Sequence, residues 1–177
     1  MRYIDIVAGV ESENFDLPKE ERDKYDKLWL EGCDKSGKAF EKIKHRLSKE
    51  LVHTWKNGSF HDDRIYEISV KERMKVEKPA YDAIITLQHA QDTSKHVYTC
   101  QLIHKDMKSI KASILFGLYD GYQTIDYMYG EICEHEEDKD YLEHNFVVLG
   151  KDYGEPGGSE INIVCKKIIW KVIEKEG

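Results

Sequence analysis

Asn57-Gly58-Ser59-Phe60-His61-Asp62-Asp63-Arg64-Ile65 separates two kinds of hydrophobic pattern. Before it, Phe40, Ile43, Leu47, Leu51 and Trp55 recur at steps of three and four. That spacing lays one continuous apolar stripe along a helix and leaves Lys42, Lys44, Lys49 and Glu50 largely outside it. Asn57-Gly58 supplies a left-handed helix stop. After the junction the period changes to two: Tyr66, Ile68 and Val70 alternate with Glu67, Ser69 and Lys71. A helical arm over residues 1–57 therefore gives way to a β-rich body over residues 58–177, in a single domain.

Working toward the amino terminus, Asp16 can cap a first helix, with Pro18 tolerated in its opening turn and Gly32 ending it. Tyr25, Leu28 and Trp29 form its narrow apolar stripe, and Ser36 can cap the helix that follows. Met1 to Ala8 alternates weakly, as a short strand or a buried lead-in would. Two helices with a short link form an αα-hairpin. Each large apolar side chain it buries is worth roughly 1.5–3 kcal/mol, so the hairpin is expected to be docked.

Toward the carboxyl terminus, alternating runs occur at Tyr81–Gln88, Val97–His104, Ile125–Ile132, Leu142–Leu149 and Ile161–Val172. Pro79, Gln91-Asp92-Thr93-Ser94 and Tyr153-Gly154-Glu155-Pro156-Gly157-Gly158 punctuate them. Lys105 to Tyr122 fits either period. The expected fold is α+β: a two-helix amino-terminal arm packed on a curled, mostly antiparallel sheet of about six strands.

Composition narrows the function. The 177 residues are 40% hydrophobic and 34% charged, with eleven tyrosines, five phenylalanines and three tryptophans, which is ordinary for a folded domain and too aromatic for a disordered one. The opening Met1-Arg2-Tyr3-Ile4-Asp5 is not a signal peptide, and no apolar run approaches the roughly 20 residues that span a membrane. Cys33, Cys100, Cys133 and Cys165 are scattered without zinc-knuckle spacing and read as reduced thiols of a cytoplasmic protein. Residues 1–60 are neutral, so the whole net charge of −7 lies beyond them. Most of it comes from Glu131, Glu134, Glu136, Glu137, Asp138, Asp140 and Glu143, opposed only by Lys139. With no basic stripe, nucleic-acid binding is not expected.

Three constellations could carry chemistry. His61-Asp62-Asp63 joins an imidazole to carboxylates, the donor set of a divalent-metal or acid–base site. Its structural reading has an aspartate accepting backbone N–H groups at the turn, with His61 and Asp62 pointing to opposite faces of a strand. His89, His104 and His144 each continue an apolar strand face and could converge on a metal if those faces meet. Tyr119, Tyr122, Tyr127 and Tyr129 are crowded enough to line a pocket. The acidic run lacks calcium-loop spacing, and the glycines before Ser159 lack the helix and the lysine-threonine pair of a phosphate loop. No catalytic set and no cofactor site is assigned.

Phe60-His61-Asp62-Asp63-Arg64-Ile65, Tyr129-Gly130-Glu131-Ile132 and Glu160-Ile161-Asn162-Ile163 together resemble uncharacterised bacterial domains with a hydrophobic-His-Asp-x-x-Ile junction. The resemblance covers roughly the last two-thirds of the chain and implies an antiparallel meander behind a helical front, with no activity attached. The leading expectation is a non-enzymatic binding or interaction module, with Glu134, Glu136, Glu137 and Asp138 facing a basic protein partner. The alternatives are a metal-dependent hydrolase centred on His61 and Asp62, and a small-ligand carrier with a tyrosine-lined pocket.

Overall fold

The structure, a computed structural model, describes residues 2–56, 60–73, 79–90, 97–112, 125–149 and 159–176. Helices α1 (Ile6–Ser12), α2 (Lys19–Ile43) and α3 (Lys49–Lys56) precede strands β1 (Asp63–Arg73), β2 (Ala80–Ala90), β3 (Val97–Ala112), β4 (Ile125–Glu134), β5 (Leu142–Leu149) and β6 (Ser159–Glu176). The change of period at the junction is thus a change of architecture.

The sheet does more than curl. Its strands close into a barrel in the order β1-β2-β3-β6-β5-β4, every neighbouring pair antiparallel. The long β3–β6 ladder runs from Val97↔Glu176 to Ala112↔Ile161. Closure between β1 and β4 rests on the pairs Asp63↔Tyr127, Arg64↔Asp126 and Ile65↔Ile125, beside which the Asp62 N–H donates to the Tyr127 carbonyl at 2.8 Å. Alternation fills the barrel with one face of each strand: Ile65 from β1, Ile85 and Leu87 from β2, Leu102 from β3, Ile132 from β4, Phe146 from β5, Ile161 and Ile163 from β6.

Phe40, Ile43, Leu47 and Leu51 are buried and join the same core, but from the end of α2, from extended Leu47 and from α3 rather than from one continuous helix. Trp55 stacks on Phe40 at 5.5 Å and meets Phe60 edge-on at 5.7 Å. Phe60 has no exposed surface and also touches Tyr127 and Trp170. A second contact is made by α2, whose Trp29 meets Tyr129 of β4 at 4.9 Å.

Several expected boundaries move, each for a local reason. Residues 6–12 are helical rather than extended, with the Asp5 carboxylate accepting the Ala8 N–H at 3.1 Å as a cap. Gly32 does not end a helix, and Ser36 does not begin one; both lie buried inside the continuous α2. Gly32 is there for space, because a Cβ on it would lie 2.6 Å from the Tyr3 carbonyl oxygen. The break falls at extended Leu47, after the 3₁₀ turn Lys44–Arg46, and the Ser48 hydroxyl accepts the Leu51 N–H to open α3. Of the stretch with ambiguous period, residues 105–112 continue β3 through a register shift between Met107 and Ser109. Asp106 adopts φ 52° there and donates its backbone N–H to Asp82 at 3.1 Å. Residues 113–122 lie outside the described residues.

Candidate functional site

The barrel interior holds a polar chain. His104 on β3 and His144 on β5 have no exposed surface, and their Nε2 and Nδ1 atoms are 2.8 Å apart. His144 Nε2 lies 3.0 Å from the Tyr127 hydroxyl. Burial lowers His104 to about 4, against opposition from the backbone groups of Ala83 and Leu102; burial and its neighbour His104 hold His144 well below the usual histidine range. Both rings are therefore neutral at pH 7, and hydrogen-bond logic sets the protons. Tyr127 O–H donates to His144 Nε2, His144 Nδ1–H donates to His104 Nε2, and the remaining proton sits on His104 Nδ1.

Burial, then the charges of Asp63 and Glu131, raise Tyr127 well above its ordinary value. Burial likewise pushes Cys100, Cys133 and Cys165 up to about 12. At neutral pH none of these groups is an anionic nucleophile or ligand. Beside the chain, buried Asp63 holds His89 Nδ1 at 2.8 Å, with the ring between Phe60 and Trp170.

The second constellation is outside the barrel, on the β4–β5 hairpin, where cations from other elements gather. The Arg46 guanidinium donates to the carbonyls of Lys139 (2.8 Å) and Asp140 (2.5 Å). Lys108 pairs with Asp138 at 3.3 Å and sits over the Tyr141 ring, which Lys166 also approaches. Arg2 is held most fully: it donates to the Glu134 carbonyl at 2.9 Å, pairs with the Glu143 carboxylate, and lies 3.4 Å from Glu136. Next to it the fully buried Glu131 carboxylate accepts the backbone N–H groups of Arg2, Tyr3 (3.0 Å) and Ile4 (3.4 Å). Asn145 and Asn162 fix the carboxylates from behind: Asn145 donates to Glu131 and Glu143, and Asn162 donates to Glu143 at 2.7 Å.

Two open grooves border this hairpin. One, of about 570 Å³, runs from Arg2 and His135 past Glu143, Asn145 and Asn162 to Glu160 and Lys111. The other, of about 510 Å³, lies between His45, Arg46, Glu134, Lys139, Asp140 and Lys166.

The candidates read from the sequence separate in space. His61 and Asp62 do meet, at 2.8 Å, because Asp62 adopts φ 66° in a turn rather than the extended conformation that would send the two side chains apart. Asp63 turns inward to His89, so the three consecutive residues do not form one cluster. His104 and His144 converge while His89 is engaged elsewhere. No group of three or more His, Cys, Asp and Glu side chains able to hold a metal exists among the described residues.

The tyrosines divide as well. Tyr127 points into the core, Tyr129 packs outside against Trp29 and His61, and Tyr119 and Tyr122 lie outside the described residues. Of the acidic residues, Glu134 pairs with Lys139, Glu136 with Arg2 and Asp138 with Lys108, while Glu137 is exposed. Sequence reasoning missed the role of Glu131, which it counted as one more surface charge, and that of Arg2. Its one available signal was Glu131 alternating with Ile132 at a strand position, which gives it a fixed face.

No family model, curated protein or solved structure shows significant similarity to this chain. No helix among the described residues is long and apolar enough to cross a membrane.

Proposed function

We propose that the protein is a non-enzymatic binding module that recognises basic groups of a protein partner through the β4–β5 hairpin. The observation behind this reading is the convergence of Arg2, Arg46, Lys108 and Lys166, from four separate parts of the chain, on residues 134–143. A surface that gathers cations within its own chain has the carboxylates, carbonyls and aromatic ring to gather them from another. The inside of the barrel favours the same reading, because aromatic side chains occupy it and its polar chain is neutral and carries no activated nucleophile. A cytoplasmic location fits four free thiols.

Charge reversal tests the reading. Glu136→Lys with Glu137→Lys should weaken capture of the protein's partner by about tenfold or more, and Glu136→Gln with Glu137→Gln by less. Raising salt from 0.05 to 0.5 M (about a threefold fall in screening length) should weaken the parent's capture and leave the reversed variant's residual binding unchanged. Equal capture by all three proteins would remove the hairpin from the account.

A further inference from the structure

The seat of residues 2–4 shows in detail what this surface holds. Arg2, Tyr3 and Ile4 belong to no helix or strand. They are fixed instead by side chains of the barrel wall. One carboxylate, Glu131, takes three successive backbone N–H groups, which converge on it because the chain bends at Tyr3. The Arg2 guanidinium then meets a carbonyl and two carboxylates, from Glu134, Glu143 and Glu136, which is selective for arginine because a planar fork can satisfy several acceptors at once.

We infer that this seat is a recognition site for an arginine-bearing segment of a partner protein that bends as residues 2–4 do, and that Arg2-Tyr3-Ile4 occupies it in cis. The inference rests on the reading of the hairpin as a partner-binding surface and supplies the chemistry of the partner. Two features make the seat exchangeable. The cis segment contributes no ladder hydrogen bonds, so it is released without opening the barrel. The groove of about 570 Å³ continues from Arg2 past Glu143 and Asn162, giving a longer occupant room that the cis segment leaves open. Because the cis segment is tethered, its effective concentration is of millimolar order, and it masks the site against weaker ligands. Removing the Arg2 side chain weakens this competitor and should expose the site.

The test uses the full chain and one defined probe, a fluorescent, acetylated peptide carrying the sequence of residues 1–6, followed by anisotropy. The Arg2→Ala chain should bind the peptide about tenfold or more tighter than the unsubstituted chain, as expected when a tethered competitor is weakened. Adding Glu143→Gln to Arg2→Ala should lower that affinity about tenfold, the scale of one lost charge-assisted contact. Glu143 is only partly buried, and circular dichroism checks that this variant keeps its fold. A peptide with alanine in place of its arginine should not bind. Equal binding by the parent and Arg2→Ala chains, no binding to Arg2→Ala, or indifference to Glu143→Gln would each overturn the inference. If charge reversal at Glu136 and Glu137 abolishes partner capture while the peptide fails to bind, the inference falls and the hairpin reading stands.

Discussion

Single residues here do work that their type does not announce. Glu131 is a carboxylate with no exposed surface, and its burial is compensated by three backbone N–H groups and the Asn145 amide. Glu131→Gln replaces one acceptor oxygen by a donor that faces those N–H groups. It should cost about 2 kcal/mol and speed amide exchange at Tyr3 and Ile4; an unchanged urea midpoint with unchanged exchange would contradict this role. Phe60 is the opposite case, a wholly apolar residue on which the helical front and the barrel meet. Phe60→Ala should cost about 3–5 kcal/mol, measured by equilibrium unfolding. The sequence placed Phe60 in the junction where the period changes without assigning it to the core. The role of Glu131 was not legible, because a glutamate on an alternating strand looks the same whether its face meets water or a crossing segment 128 residues away in sequence.

At the scale of elements, the polar chain Tyr127–His144–His104 ties β3, β4 and β5 together across the barrel. Both histidines have folded pKa values below the ordinary one, so the unfolded chain binds protons that the barrel refuses. Their contribution is therefore present in full above about pH 6.5 and is lost as pH falls toward about 4, the folded value of His104. Urea midpoints should rise steeply with pH across that window and level off above it. Replacing the whole chain (Tyr127→Phe, His144→Phe, His104→Leu) should flatten the profile there at little cost at pH 7. His144→Phe alone strands two partners and should cost about 1–3 kcal/mol for each. A triple variant with the parent's pH profile would show that other groups set it. The three histidines could be assigned to inward faces from alternation alone; which two would meet depended on strand order and tilt, which periodicity does not contain. The helical elements were misdivided for a similar reason. Gly32 has the composition of a stop signal, but its position is set by the close approach of Tyr3.

For the molecule as a whole, the sequence limited the architecture to helices on an antiparallel sheet, and closure of that sheet is what converts alternating faces into an inside and an outside. Inside are the aromatic core and the neutral histidines; outside, the hairpin that the sequence presented as a bare acidic run carries cations on most of its acidic groups. The pairing could not be foreseen, since Arg2, Arg46 and Lys108 are far from residues 134–143 in the chain. Barrel closure also has a weak place. The β1–β4 seam has three described residue pairs, so amides of Ile125–Tyr127 should exchange well before those in the middle of β3 and β6. Uniform protection around the barrel would contradict that order of opening.

The most direct test of the binding claim is photo-crosslinking in the cells that make the protein, with the photoreactive residue placed either at Glu137, exposed on the hairpin, or at Lys27, exposed on α2. A discrete adduct from Glu137 that is absent from Lys27, and that is lost when Glu136→Lys is added, is the predicted result. Adducts of equal yield from both positions, or none from Glu137, would contradict recognition through the β4–β5 hairpin.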